Sequence, residues 1–232
     1  MEKSDRTQQE RNKITKITTF SVPLTLNEKK KNISIYTNST TEKENEKIMN
    51  QAFRYHSEGN IVDAAKYYQF FIDQGFKDQR VFSYYGAILK NLGKLKEAEL
   101  TTLKALKLNP NFAEAHSNLG IILRDLHSLK EAEWSQRKAI ELNPQFANAH
   151  YNLGIILKDL GRLKEAELST RKAIQINPNL ANAHYNLGII LNDLGNLQEA
   201  EQSYRKAIEL KPNFAEAHLN LGNTLNDLGK SE

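Results

Sequence analysis

The sequence contains no cysteine among its 232 residues. Disulfide bonds, thiolate metal sites and a cysteine nucleophile are therefore excluded. Long apolar runs are absent as well, and the first residues, MEKSDRTQQERNK, lack the apolar stretch that a signal peptide or a membrane span requires. These absences predict a cytoplasmic protein with no membrane partner.

A large excess of one charge is also missing. The formal net charge is +4, and residues 1–44 hold nine Lys and Arg against six Asp and Glu, which leaves 23 against 22 in the remainder. No basic stripe is available to follow a phosphate backbone, so nucleic acid is not expected as a partner.

Residues 1–44 are rich in Lys, Thr, Ser, Asn and Glu, a composition that predicts a disordered leader. Only the stretch Ile14–Leu26 has any apolar density. It is interpreted as part of an unstructured tail, and the alternative is that it docks on the first repeat or recognises a partner.

Four prolines, Pro110, Pro144, Pro178 and Pro212, follow one another at intervals of 34 residues. The segments between them are nearly identical, for example AEAHSNLGIILRDLHSLKEAEWSQRKAIELNP and ANAHYNLGIILKDLGRLKEAELSTRKAIQINP. With the proline at position 32 of a unit, the units are 45–78, 79–112, 113–146, 147–180 and 181–214, with a partial unit at 215–232. The chain is therefore a repeat protein.

Apolar residues at helical spacing form two stripes in each unit, which predicts two antiparallel helices per unit. The sequence Asp159-Leu160-Gly161 lies between them, and its glycine can adopt the left-handed conformation that ends a helix. The second helix ends before Asn-Pro or Lys-Pro. Glycine recurs at position 8 and alanine at position 20. Because glycine within a helix costs about 1 kcal/mol relative to alanine, its recurrence predicts a close approach of the paired helices.

This pattern, with Leu at position 7, Gly at 8, Ala at 20 and 27 and Pro at 32, resembles the tetratricopeptide repeat over residues 45–232. The resemblance implies an all-α fold, an α-solenoid of antiparallel helix pairs wound into a right-handed superhelix after the disordered leader. The sequence departs from the family pattern in the histidines at position 4, in Thr or Gln at position 24 of the middle units, and in Gly75-Phe76 where the first unit lacks its proline.

Asparagine occupies position 6 of the first helix in every unit except the second, which has Tyr84. Asparagine is a poor residue for a helix interior, so its recurrence predicts a role in binding. The resemblance implies that the first helices line the inside of the superhelix. The row is similar to the asparagine ladder of the arm that precedes the catalytic domain of O-linked N-acetylglucosamine transferase, which grips a peptide main chain. The predicted peptide-binding residues are Asn50, Asn118, Asn152, Asn186 and Asn220.

Two neighbouring rows complete the predicted peptide site. Tyr151 and Tyr185 at position 5 predict an aromatic floor beside the amides. Position 13 holds Asp125, Asp159 and Asp193, which either contact the ligand or simply lie near helix ends, where the helix dipole disfavours a carboxylate. The basic clamp for a terminal carboxylate that marks another branch of the family has no counterpart, because position 5 is never basic and position 9 is mostly isoleucine.

No set of residues predicts catalysis, a cofactor or a metal site. Histidine repeats at position 4, but equivalent residues lie about 10 Å apart given helix packing distances, whereas metal ligands lie about 2 Å from a shared ion. The row His116, His150, His184 and His218 is therefore interpreted as structural packing.

These observations predict a non-enzymatic protein-interaction scaffold that holds an extended polypeptide in its concave groove. The alternative is the recognition arm of an enzyme, because similar arrays in bacterial proteins precede glycosyl, sulfo or methyl transferase domains and this sequence stops within a repeat. The last half-unit is expected to expose Leu221, Leu225 and Leu228. Truncation, a downstream segment or self-association through this uncapped end is predicted from that exposure.

Overall fold

The computed structural model describes residues 42–229, with side chains from residue 45 onward. This part of the chain is helical, and its eleven helices are α1 (Glu42–Ser57), α2 (Ile61–Asp73), α3 (Gln79–Asn91), α4 (Leu95–Leu108), α5 (Ala113–Asp125), α6 (Leu129–Leu142), α7 (Ala147–Asp159), α8 (Leu163–Ile176), α9 (Ala181–Asp193), α10 (Leu197–Leu210) and α11 (Ala215–Asp227). The predicted leader lies outside the described residues, apart from its last three, which belong to α1.

Each unit folds as a pair of antiparallel helices that packs against the pair before and after it. The pairs are α3 with α4, α5 with α6, α7 with α8 and α9 with α10, and each second helix also contacts the first helix of the next unit. In the first unit, Ala52 of α1 packs with Ala64 and Tyr68 of α2. The predicted α-solenoid is confirmed.

The turn inside each unit depends on one residue in the left-handed region. Gly161 has φ 75°, and its N–H donates to the carbonyl of Lys158 at 2.9 Å. His127 holds the same place in the third unit with φ 62°, a conformation that is uncommon for a residue with a side chain. The second helix starts directly after this turn, so the two helices of a unit are held side by side.

The paired helices approach closely where glycine occupies position 8. A Cβ on Gly188 would lie 2.5 Å from Cε1 of Tyr204, and one on Gly120 would lie 2.5 Å from Nε2 of Gln136. Real Cβ atoms do not approach other atoms so closely, so a side chain at either of these two glycines would require the facing residue to move. The predicted close approach is confirmed. Gly222 of α11 differs, because no described atom lies within 4 Å of a Cβ placed there.

The histidines at position 4 tie each first helix to the turn before it. The ring Nε2 donates to the carbonyl oxygen of the proline six residues earlier, at distances between 2.8 and 3.1 Å. The pairs are His116 with Pro110, His150 with Pro144, His184 with Pro178 and His218 with Pro212. The histidine row and the proline row thus form one recurring contact at the entry to each first helix.

The expectation that the last half-unit exposes its leucines is wrong for two of the three. Leu221 and Leu225 are only 9% and 7% exposed. They pack with Leu187 and Leu191 of α9 and with Tyr204 of α10. Positions 7 and 11 therefore face the preceding unit as well as the helix that follows within their own unit. The predicted self-association through this end was based on three exposed leucines, and two of them are buried.

Two histidines give the fold a dependence on pH. Burial lowers the pKa of His56; burial also lowers the pKa of His150, an effect that the bond to Pro144 opposes and Lys172 reinforces. The folded chain therefore binds fewer protons than the unfolded chain. Their contribution to stability is complete above the ordinary histidine pKa of about 6.5 and is lost as the pH falls through the lower folded value.

We therefore expect the urea midpoint to fall as the pH is lowered from about 7.5 to about 5.5, across the histidine range. Replacing both rings, as His56→Phe with His150→Phe, should flatten this dependence, because phenylalanine does not titrate; at position 4, where His150 lies, the second unit already has Phe82. Urea titrations of both proteins at several pH values provide the measurement. If the urea midpoints of the two proteins changed with pH by the same amount, the assignment of the pH dependence to these two histidines would be contradicted.

Candidate binding surface of the first helices

Successive first helices contact one another directly. Contacts join α3 with α5, α5 with α7, α7 with α9 and α9 with α11. Among residues 48–229, no two successive second helices form a comparable contact. The first helices are therefore more closely spaced than the second helices, which puts them on the inner side of the curved stack.

The amide groups at position 6 bridge neighbouring first helices. Nδ2 of Asn118 donates to Oγ of Ser83 at 2.9 Å, and Nδ2 of Asn152 donates to Oγ of Ser117 at 3.3 Å. Both serines occupy position 5 of the preceding unit. The two asparagines are half-buried, so each amide lies in the seam between two first helices with one end fixed by the neighbouring unit.

The last two amides use other partners. Asn186 is only 5% exposed and donates to Oγ1 of Thr170 on the second helix of the preceding unit, at 3.4 Å. Asn220 donates to the hydroxyl of Tyr185 at 3.2 Å. In all four cases the contact holds the nitrogen end of the amide in the protein.

The oxygen ends of these four amides remain open. Among residues 48–229, none of the four Oδ1 atoms accepts a hydrogen bond, and none is among the buried polar atoms that lack a partner. Asn118, Asn152 and Asn220 are half-buried, whereas Asn186 is buried. Since the oxygen and nitrogen of one amide point in different directions, fixing the nitrogen also sets the direction of the oxygen. Asn118, Asn152, Asn186 and Asn220 thus each have an amide oxygen to which no protein group within residues 48–229 donates.

The row is interrupted in the second unit. Tyr84 occupies position 6 there, and its ring packs edge-on against Phe53 at 5.6 Å and His56 at 5.5 Å between ring centroids. Asn50 on α1 is exposed. The aromatic contact thus separates Asn50 from the four consecutive amides, which begin at Asn118.

The predicted tyrosines differ in their surroundings. Tyr185 packs against Phe214 at 4.8 Å and Tyr204 at 6.0 Å, and its hydroxyl accepts the bond from Asn220. It therefore holds the last two units together. Tyr151 is half-buried, and burial raises the pKa of its hydroxyl. It directly precedes Asn152 in the sequence.

Two of the predicted aspartates have basic neighbours. Nε of Arg124 donates to Oδ2 of Asp159 at 2.6 Å across two units, and Asp125 lies 4.0 Å from the same guanidinium group. Asp193 is exposed and forms no ion pair within residues 48–229. Asp125 and Asp159 thus partly neutralise Arg124 and Lys158, the basic residues at position 12 of their units.

Models of the tetratricopeptide repeat match residues 147–180 and 181–214, residues 101–133 and 203–232, and residues 85–112. Together these matches cover more than half of the chain. The chain belongs to the tetratricopeptide repeat (TPR) family. None of the curated protein sequences matches it significantly.

Solved TPR structures are similar in fold. A thermophilic TPR protein of Thermus thermophilus is 18% identical with a TM-score of 0.66, over 78% of this chain and 99% of the other. PilF of Pseudomonas aeruginosa is 16% identical with a TM-score of 0.69, over 80% and 85%. YrrB, described as a TPR protein with an unusual peptide-binding site, is 26% identical with a TM-score of 0.57, over 73% and 87%.

Two parts of this TPR surface were missed by the sequence reasoning. Ser83 and Ser117, which accept the hydrogen bonds from the asparagine side chains, lie at position 5, directly before the asparagine position. Their small side chains were the feature of the sequence that could have indicated this contact. Arg124 could not be identified from the sequence because its partner, Asp159, lies in the next unit. Within residues 48–229 no group of three or more His, Asp or Glu side chains is arranged to hold a metal ion. None of the described helices has the length and apolar character to cross a membrane.

Proposed function

We propose that this TPR array is a non-enzymatic scaffold that binds an extended polypeptide along its first helices. The observation that carries the proposal is the row of amides in four consecutive units whose nitrogen ends are bonded to the protein and whose oxygen ends are not. An amide oxygen accepts a hydrogen bond from any peptide N–H, whatever the side chain. The TPR fold is compatible with a protein-interaction scaffold, and the similarity to YrrB, a TPR protein with a peptide-binding site, supports this interpretation.

The proposed mechanism differs from a ladder in which each asparagine offers both ends of its amide. Here the nitrogen end is already bonded to the protein, so the oxygen is oriented before the ligand arrives. An oriented acceptor loses less side-chain entropy on binding than a free one. The peptide then contributes the donors, which are its main-chain N–H groups.

The repeat spacing sets the length of the ligand. Units packed about 10 Å apart meet an extended peptide at about every third residue, and in the polyproline II conformation, with three residues per turn and a rise of about 3.1 Å, every third N–H points to the same side. Four amides in consecutive units then span about 30 Å, or roughly ten residues. The half-buried isoleucines at position 9 and Tyr151 offer apolar contacts beside the amides. Because main-chain donors occur in every sequence, we infer a weak sequence preference.

The test compares the wild-type protein with a triple variant, Asn118→Ala, Asn152→Ala and Asn186→Ala, in binding an immobilised library of ten-residue peptides. Each lost hydrogen bond costs about 0.5–1.5 kcal/mol, and 1.4 kcal/mol corresponds to a factor of about ten. We therefore expect the triple variant to bind about tenfold more weakly or worse. Six-residue peptides, which reach fewer amides, should bind more weakly than ten-residue peptides.

A control variant distinguishes the loss of contacts to the peptide from the loss of contacts between helices. A double variant, Ser83→Ala with Ser117→Ala, removes the seam partners of Asn118 and Asn152 but leaves all four amide oxygens. It should retain peptide binding within a few-fold of the wild type, with unchanged helicity by circular dichroism. Equal retention of peptides by the wild type and the asparagine variant would refute the proposal.

A further inference from the structure

The face of the first helices that carries the amide row is acidic, although the array as a whole is nearly neutral. Positions 2 and 13 lie four residues before and seven residues after position 6, which puts them on the same helix face as the asparagines. In the third to sixth units these two positions hold six acidic residues and no basic residue, whereas residues 45–232 together hold 22 acidic and 23 basic residues. The six are Glu114, Asp125, Asp159, Asp193, Glu216 and Asp227.

The cations that neutralise this face are confined to the third and fourth units. Nε of Arg124 donates to Oδ2 of Asp159 at 2.6 Å, and Nζ of Lys158 lies 4.0 Å from the other oxygen of the same carboxylate. Both cations occupy position 12. That position is an uncharged asparagine in the next two units, as Asn192 and Asn226. The carboxylates of the fifth and sixth units therefore have no cation at the equivalent place.

Three carboxylates at this end of the row lack a counter-ion. Asp193, Glu216 and Asp227 are exposed, and none of them forms an ion pair within residues 48–229. The two aspartates are the last residues of α9 and α11, where the helix dipole disfavours a negative charge. Because the fold supplies no compensating cation, a positively charged ligand group would stabilise both of them.

An amide on the same helix face also lacks a partner for one of its ends. Asn186 is only 5% exposed, its nitrogen donates to Oγ1 of Thr170, and no protein group within residues 48–229 donates to its oxygen. A buried polar group normally has a hydrogen-bond partner. Asp193 follows seven residues later, about 10 Å along the helix axis. One first helix thus presents an acceptor for a main-chain N–H and, on the same face, a carboxylate for a cation.

We propose that the polypeptide bound by this array is basic, and that its lysine or arginine residues lie over the fifth and sixth units. This inference rests on the proposed function and adds a charge preference to the main-chain contacts. A peptide that crosses the first helices at the amide row extends side chains along the helix axes, toward positions 2 and 13. Lys90, which has position 12 in the second unit and no ion pair within residues 48–229, disfavours basic residues at the opposite end.

The experiment titrates the full chain with three ten-residue peptides that differ only at two positions, which are both lysine, both glutamine or both glutamate. Fluorescence polarisation at low salt measures the binding. We expect the lysine peptide to bind about threefold to tenfold more tightly than the glutamine peptide, as two exposed ion pairs allow, and the glutamate peptide to bind most weakly. The preference should shrink as salt is added, because exposed charges are screened.

The variant that tests the assignment is Asp193→Asn with Asp227→Asn. It should remove the preference for lysine and leave the affinity for the glutamine peptide unchanged, because asparagine has nearly the shape of aspartate and both residues are exposed. The matched control, Glu141→Gln with Glu209→Gln, changes the net charge equally. Its two side chains are 68% and 67% exposed on the second helices, and it should keep the preference.

The outcomes separate this inference from the proposed function. Equal binding of the three peptides to the wild type refutes the charge preference and leaves main-chain binding intact, whereas a chain that binds none of them contradicts the proposed function itself. A preference for lysine that survives in the aspartate variant, or that the control variant also loses, overturns the assignment to Asp193 and Asp227.

Discussion

Replacing Tyr68 with alanine is expected to lower the stability of the first unit by about 3–5 kcal/mol, the range for removing a large buried aromatic ring. Tyr68 is fully buried. Its ring lies 5.9 Å from both Phe53 and His56, and its hydroxyl is 3.1 Å from Nδ1 of His56. The substitution therefore removes ring packing and leaves a histidine nitrogen without its partner.

In a repeat array each unit contacts only its neighbours, so we expect the loss to stay local. Native-state hydrogen exchange should show faster opening of α1 and α2 in the Tyr68→Ala variant, while α7 to α10 keep their protection. The adjacent Tyr67 is only partly buried at the edge of the same core cluster, and its ring packs against Tyr55 at 5.4 Å. Tyr67→Ala is the control and should cost about 1 kcal/mol. Equal costs for the two substitutions would contradict the assignment of Tyr68 to the core.

One substitution made at one repeat position is expected to have opposite effects in two units. Gly188→Ala should destabilise the chain by about 1–3 kcal/mol, the usual cost of overpacking. A Cβ there would lie 2.5 Å from one atom of the Tyr204 ring and 2.7 Å from another, and Tyr204 is 2% exposed. Tyr204 packs with Leu187 and Leu221, so its ring cannot shift without displacing core side chains.

Gly222→Ala, the same change at position 8 of α11, should leave stability unchanged or raise it by up to about 1 kcal/mol. No described atom lies within 4 Å of a Cβ at this position, so only the better helix propensity of alanine acts. Urea unfolding of both variants of this chain, monitored by circular dichroism, measures the contrast. A destabilisation of similar size in both would mean that position 8 is constrained by something other than the facing residue at position 24.

The repeated parts of the fold were predictable because five units share one sequence pattern. An error in assigning the helices of one unit would have conflicted with the other four. The proline interval fixed the period, and a glycine retained at position 8 despite its cost in a helix indicated the close contact with position 24. The bond from His150 to the carbonyl of Pro144 was not predictable, since helical periodicity carries no information about a contact that reaches back into a turn.

The candidate site was only partly predictable for a related reason. The sequence showed that asparagine recurs at position 6, but a single amide has a donor end and an acceptor end. Which end faces the protein depends on the neighbouring unit, such as Ser83 opposite Asn118. The burial of Leu221 and Leu225 was missed for the same reason, because both pack on the unit before them.

The most direct test of the central claim uses two backbone-methylated versions of one ten-residue peptide, titrated against the wild-type chain by fluorescence polarisation. The first keeps one N–H in three, so that one register presents a donor to every amide oxygen. The second keeps one N–H in two, so that in any alignment of the peptide at most half of the amide oxygens meet an N–H group. We expect the first peptide to bind more tightly, although it has fewer donors. Tighter or equal binding of the second peptide would contradict main-chain capture by the asparagine row.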